Sequence, residues 1–128
     1  MSRILLAEDN QVNRELIGEI LAIHGHEVVT ASDGNQAMTA LAADLPEVVL
    51  LDIQMPGKNG YAVLREIRSN ERLAHLPVIA LTAYAMRGDR DQALAAGFDE
   101  YLTKPIDINR LIKAIEEKVP RKPSSGTV

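Results

Sequence analysis

The chain has 128 residues, with 18 Asp and Glu against 14 Lys and Arg, a net charge of −4, and no Cys or Trp. That length suits one domain; the missing Cys excludes a disulfide frame or a thiolate metal site, and basic residues scattered along an acidic chain exclude a face for nucleic acid. No apolar run approaches the roughly 20 residues that span a bilayer, and no charged-then-apolar leader opens the chain, so the expectation is a cytoplasmic protein with no membrane or nucleic-acid partner.

In chain order, Ile4-Leu5-Leu6-Ala7 is a continuous apolar run that stops at Glu8-Asp9, the pattern of a strand buried on both faces. Asn10 reads as an N-cap, Val12, Leu16, Ile20 and Ile23 recur at helical spacing, and Gly25 stands where a left-handed cap closes a helix. Ile17 and Leu21 widen that apolar stripe, so part of it is expected to be exposed. Val28-Val29 starts a second extended run, leading through Asp33-Gly34 to a helix with Ala37, Met38 and Leu41 before Pro46. Val48 to Leu51 is the third run and ends at Asp52; after a Met55-Pro56-Gly57 loop, Val63, Leu64 and Ile67 resume helical spacing. Val78 to Leu81 ends at Thr82 and precedes a helix from about Asp89 to Ala96, closed by Gly97. Tyr101-Leu102 opens the last strand, ending at Lys104, and Asp107 caps a helix carrying Leu111, Ile115 and Val119.

Five strand-then-helix units predict an α/β fold with a parallel sheet covered by helices on both faces. All strands then point one way, so Glu8-Asp9, Asp52, Thr82 and Lys104 converge on one sheet edge. Singly, Asp9 and Asp52 read as caps or turn formers, Thr82 as a strand residue and Lys104 as a solvated cation. Together, three carboxylates and one ammonium leave a charge of −2, which a divalent cation with oxygen ligands neutralises. A carboxylate can act as nucleophile and form an aspartyl phosphate; Asp52, ending the most apolar run, is the best-placed acceptor, with Lys104 stabilising phosphoryl charge and Thr82 donating a hydroxyl. Pro105 reads either as a helix-start proline or as part of a cis Lys104-Pro105 bond that turns the ammonium inward.

The segments Ile4-Leu5-Leu6-Ala7-Glu8-Asp9-Asn10, Leu51-Asp52-Ile53-Gln54-Met55-Pro56, Leu81-Thr82-Ala83 and Leu102-Thr103-Lys104-Pro105 resemble, in order and spacing, the receiver domain of two-component response regulators. The resemblance covers roughly residues 3 to 119. It implies a flavodoxin-like, doubly wound five-stranded sheet in the order 2-1-3-4-5. It also implies Asp52 as phosphoacceptor, Glu8, Asp9, Asp52 and the Gln54 backbone carbonyl as holders of Mg²⁺ (Mn²⁺ being a substitute), and Thr82, Lys104 and Tyr101 as phosphate-sensing residues. Gln54 and Tyr84 flank the expected path of hydrolytic water and are candidates for tuning the phosphorylated lifetime. Asn13, Leu16 and Ile106 are the candidate docking residues for a histidine kinase or a histidine phosphotransfer protein, and a downstream protein target is implied. Residues 8–16 and 83–89 are similar to phosphorelay and cell-cycle receivers. The expected organisation is a receiver domain over 1–119 and a disordered tail over 120–128, acting stand-alone through partners. Two other readings are a Mg²⁺-dependent phosphatase with an Asp nucleophile and a flavin-binding electron carrier. Against the first, Gln54 stands where the general acid and base belongs; against the second, no phosphate-cradling Ser/Thr/Gly loop follows the first strand.

Overall fold

A computed structural model describes residues 2–55, 58–83 and 88–118. The sequence reading of Tyr84, Val119 and the tail lies outside these residues. Strands β1 (Arg3–Ala7), β2 (Glu27–Ala31), β3 (Val48–Asp52), β4 (Val78–Thr82) and β5 (Glu100–Thr103) alternate with helices α1 (Gln11–Ile23), α2 (Gly34–Ala43), α3 (Gly60–Ser69), α4 (Asp89–Ala96) and α5 (Ile108–Lys118). All strand pairs are parallel, in the order β2-β1-β3-β4-β5.

Continuous apolar runs are required because both sheet faces are covered. Side chains alternate across a strand, so Ile4, Leu6, Val48, Leu50, Ile79 and Leu81 pack into one core with Ile17, Leu21, Leu111 and Ile115 of α1 and α5. Leu5, Ala7, Val49, Leu51, Val78 and Ala80 face the other way, toward Leu41, Val63, Leu64 and Ala93 of α2, α3 and α4. The helix starts follow the sequence closely: the side chains of Asn10, Asp33 and Asn59 accept from Asn13, Gln36 and Ala62 N–H, and Asp107 accepts from Asn109 and Arg110 N–H. Gly25 follows α1 with φ of 88°.

The stripe on α1 divides differently from its sequence spacing. Ile17 and Leu21 form its buried seam, whereas Val12, Leu16 and Ile23 are 72%, 52% and 81% exposed. This i, i+4 pair seats α1 on the core that it shares with Leu111 and Ile115 of α5.

The segment between α3 and β4, which has no periodicity to read, is held by one guanidinium. Arg68 donates to the carbonyls of Ala74, Leu76 and Gly97 and to Asp99 Oδ2, while the same Asp99 oxygen accepts from Val78 N–H. It ties the end of α3 to both turns beside β4 and β5. Arg68→Ala strands several carbonyls at once and is expected to destabilise the fold by about 2–3 kcal/mol, read as a lowered urea midpoint by circular dichroism. A loss within experimental error would show that water replaces the clip.

Candidate functional site

At the carboxyl edge of the sheet, β1 and β3 are neighbours although β2 comes between them in sequence, which opens a crevice where the order reverses. Glu8 and Asp9 leave the end of β1, and Asp52 is the last residue of β3. Carboxylate oxygens of Glu8, Asp9 and Asp52 lie within 4.8 Å of one another.

The three acids sit in different surroundings. Glu8 is fully buried and Asp52 nearly so, while Asp9 is exposed. Glu8 Oε2 accepts from Asn10 N–H at 3.0 Å. Asp52 Oδ1 accepts from Gln54 N–H at 2.9 Å, and Oδ2 accepts from Lys104 Nζ at 2.8 Å. Lys104 Nζ is also 2.6 Å from Glu8 Oε1. That oxygen nevertheless lacks a well-directed hydrogen bond; the short distance makes the contact a genuine ion pair, but one ammonium divides its attraction between two acids. No hydrogen bond or ion pair among the described residues engages the Asp9 carboxylate.

Electrostatics follow from this sharing. Asp52 is raised to about 7: burial pushes it up most, Glu8 adds to that, and the Lys104 and Gln54 hydrogen bonds pull against both. Burial alone would lower the Lys104 ammonium, but its hydrogen bond to Asp52 and its close pairing with Glu8 outweigh that and raise it. Three oxyanions against one cation leave the cluster short of positive charge. The donor set is hard carboxylate oxygen, and both the unengaged Asp9 carboxylate and the poorly satisfied Glu8 Oε1 suit a small divalent cation.

Lys104 stands directly after β5; its backbone N–H donates to Thr82 O at 2.7 Å, and the Lys104-Pro105 bond is cis. Thr82 is buried at the end of β4, beside a cavity of about 160 Å³ bounded by Gln54, Tyr61, Asp89 and Tyr101. The Tyr101 ring belongs to the core under α3 and α4 and is 6% exposed. Burial, then the charge of Asp89, pushes both the Tyr61 and Tyr101 phenols up. Of the candidate docking residues, Leu16 is exposed and Asn13 partly so, while Ile106 packs against the core of the α1 and α5 face. Gln54 is exposed at the rim.

Two supporting residues escaped the sequence reading. A Cβ on Gly60 would lie 2.6 Å from Asp52 O and from Ile53 Cα, so the absence of a side chain lets α3 begin directly against the end of β3. Its signal was available: Asn59-Gly60 stands one turn before Val63, as a cap should. Arg14 donates to the carbonyls of Glu8 and Asp9, a contact that leaves no mark in periodicity.

Comparison with known proteins agrees with this geometry. A family model described as the response regulator receiver domain matches residues 4–116. The chain is 34% identical over 113 residues to the polar-differentiation response regulator DivK of Brucella ovis, covering 88% of this chain and 92% of DivK. It is 42% identical over 106 residues to the response regulator PleD of Caulobacter vibrioides; that match covers 83% of this chain but only 23% of PleD. Among solved structures, the receiver domain of the sensor histidine kinase PA1611 from Pseudomonas aeruginosa superposes with a TM-score of 0.85 at 37% identity, covering 92% of this chain and 97% of that one; its active-site cleft coordinates a magnesium ion. A Francisella response regulator receiver gives a TM-score of 0.87 at 27% identity, covering 93% and 97%. The order of the sheet, the acids gathered at its switch point and these matches lead to one conclusion: the chain belongs to the receiver domains of two-component response regulators.

Proposed function

We propose that Asp52 accepts a phosphoryl group from a phosphohistidine on a histidine kinase or a histidine phosphotransfer protein, and that the phosphorylated chain signals to a downstream protein. The observation that carries this reading is the placement of Lys104 Nζ 2.8 Å from Asp52 Oδ2 in a cluster of three acids. Glu8, Asp9, Asp52 and the Gln54 carbonyl are the residues to hold Mg²⁺, with Mn²⁺ a substitute. Bound there, the ion would neutralise the acids and the equatorial phosphoryl oxygens. In the transfer, the P–N bond of phosphohistidine breaks with its electron pair kept by the imidazole, as a P–O bond forms to Asp52. Lys104 then pairs with a phosphoryl oxygen, and the Thr82 hydroxyl donates to another. Movement of Thr82 toward phosphate changes the packing against Tyr101 and so reports phosphorylation to the α4 and β5 surface. Gln54 and Tyr84 tune how long the phosphoryl group survives. Gln54 cannot shuttle a proton, so turnover of an external substrate is not expected. Incubation with Mg²⁺ and acetyl phosphate, followed by mapping of acid-labile phosphate by mass spectrometry, should label Asp52 in the wild type and nothing in Asp52→Asn. Equal labelling of both would end this reading.

Docking of the donor is assigned to the face formed by Asn13, Leu16 and Ile106. Val12 and Leu16 support it, being large apolar side chains left exposed one and two turns beyond the acidic rim. Leu16→Asp should slow transfer from a phosphohistidine donor by about 30-fold or more, the loss of an apolar anchor worth at least 2 kcal/mol, while labelling by acetyl phosphate is retained. Equal loss with both donors would mean that the change damages the fold rather than the docking.

A further inference from the structure

The side chain that holds the acidic turn in shape is a cation, which is unexpected beside a site for another cation. Arg14 lies in the first turn of α1 and its guanidinium bends back to the end of β1, where Nη1 donates to Glu8 O at 2.9 Å and to Asp9 O at 3.3 Å. Those two carbonyls belong to the peptide planes on either side of the Asp9 Cα. Fixing both planes fixes the direction of the Asp9 Cβ bond, and with it the reach of a carboxylate that no other described contact restrains. Glu8 N–H donates to Ala31 O, Asn10 N–H to Glu8 Oε2, and Asn13 N–H to the Asn10 side chain. Glu8 and Asn10 are thus tied by other bonds, and Arg14 supplies the restraint on the planes that flank Asp9.

We propose that Arg14 is a positioning residue for the divalent cation, acting through the backbone of Glu8 and Asp9 rather than by touching the ion. This rests on the reading of Glu8, Asp9 and Asp52 as the cation site. Groups that orient metal ligands without binding the metal change affinity by about 10- to 100-fold when removed. The sign separates this role from simple electrostatics. A guanidinium close to the site repels a cation, so deleting its charge would tighten binding if charge alone mattered; loss of orientation weakens it.

The test is calorimetric titration of Mg²⁺ into the wild type, Arg14→Met, which keeps the stem without charge or donors, and Arg14→Lys, which keeps the charge with a single-point donor. Arg14→Met is expected to bind about tenfold more weakly, and Arg14→Lys more weakly than the wild type, with unfolding midpoints in EDTA close to wild type. A merely structural role would move those midpoints and leave the affinity of the folded protein unchanged. Equal or tighter binding by Arg14→Met overturns the proposal. If Arg14→Met fails to fold, Arg14→Lys decides, and wild-type affinity in that variant overturns it. Absence of Mg²⁺ uptake by the wild type would remove the cation site itself, an outcome distinct from equal uptake by all three proteins.

Discussion

Asp52→Asn is expected to abolish phosphoryl acceptance and, at the same time, to raise the unfolding midpoint of the metal-free protein by about 5 °C. Both effects have one cause. Asp52 is a nearly buried carboxylate that shares a single ammonium with Glu8, and burial raises it to about 7. A carboxyl group whose native value lies above its unfolded value of 3.8 binds its proton more tightly in the folded state. Folding stability therefore falls as pH rises from about 4 to about 7, and the deficit is complete above 7. The ceiling on that deficit is about 4 kcal/mol, at roughly 1.4 kcal/mol per pH unit. Asparagine keeps the shape and removes the charge, leaving Lys104 to Glu8 alone. Recovery of about 1 kcal/mol corresponds to roughly 5 °C in a domain of this size. Thermal melts in EDTA at pH 6 and pH 8 should show the wild type gaining stability at the lower pH and the variant gaining less. Added Mg²⁺ should then raise the wild-type midpoint by mass action and shift the variant less. A variant less stable than wild type at pH 8 in EDTA would show that Asp52 is satisfied without an ion.

Much of this was legible in the residues because the fold buries its strands on both faces. That demand writes continuous apolar runs into β1, β3 and β4, and it places the first polar residue after each run at the same sheet edge. Asn10 and Asp107 could be read because a cap is a local hydrogen bond between residues two or three apart. What stayed hidden depends on contacts distant in sequence. Nothing near Arg68 foretells that it will reach Gly97 and Asp99. The split of α1 into a buried seam and an exposed Val12-Leu16-Ile23 row depends on how the helix seats on the sheet beside α5, which periodicity cannot report. The acids and Lys104 were readable as a set, yet the unequal surroundings that leave Asp9 unengaged and Asp52 perturbed emerge only when the chain closes around them.

Lys104→Met should act in the opposite direction on stability and in the same direction on function. The ammonium is 2.6 Å from Glu8 Oε1 and 2.8 Å from Asp52 Oδ2, with its side chain only 15% exposed. Without it, two buried carboxylates face each other with no positive charge among the described contacts. Breaking a buried ion pair by removing one partner typically costs about 3–5 kcal/mol, and the metal-free variant should lose stability on that scale at pH 8. The loss should shrink at pH 6, because the pair escapes repulsion by taking up a proton, and Asp52 is the member already raised to about 7. Mg²⁺ should restore part of the stability, since it replaces the missing charge, but not the phosphorylation rate. That rate needs a donor aimed at the phosphoryl oxygen, and removing one such donor costs about 10²- to 10³-fold. Lys104→Arg should recover stability better than rate, because a planar guanidinium can satisfy two carboxylates but does not fit the space of a compact ammonium. Urea titrations at the two pH values, paired with initial rates of acetyl phosphate labelling, separate the two roles. A stability loss of equal size at pH 6 and pH 8 would mean that Lys104 supports the fold by packing, and that the acids are neutralised in some other way.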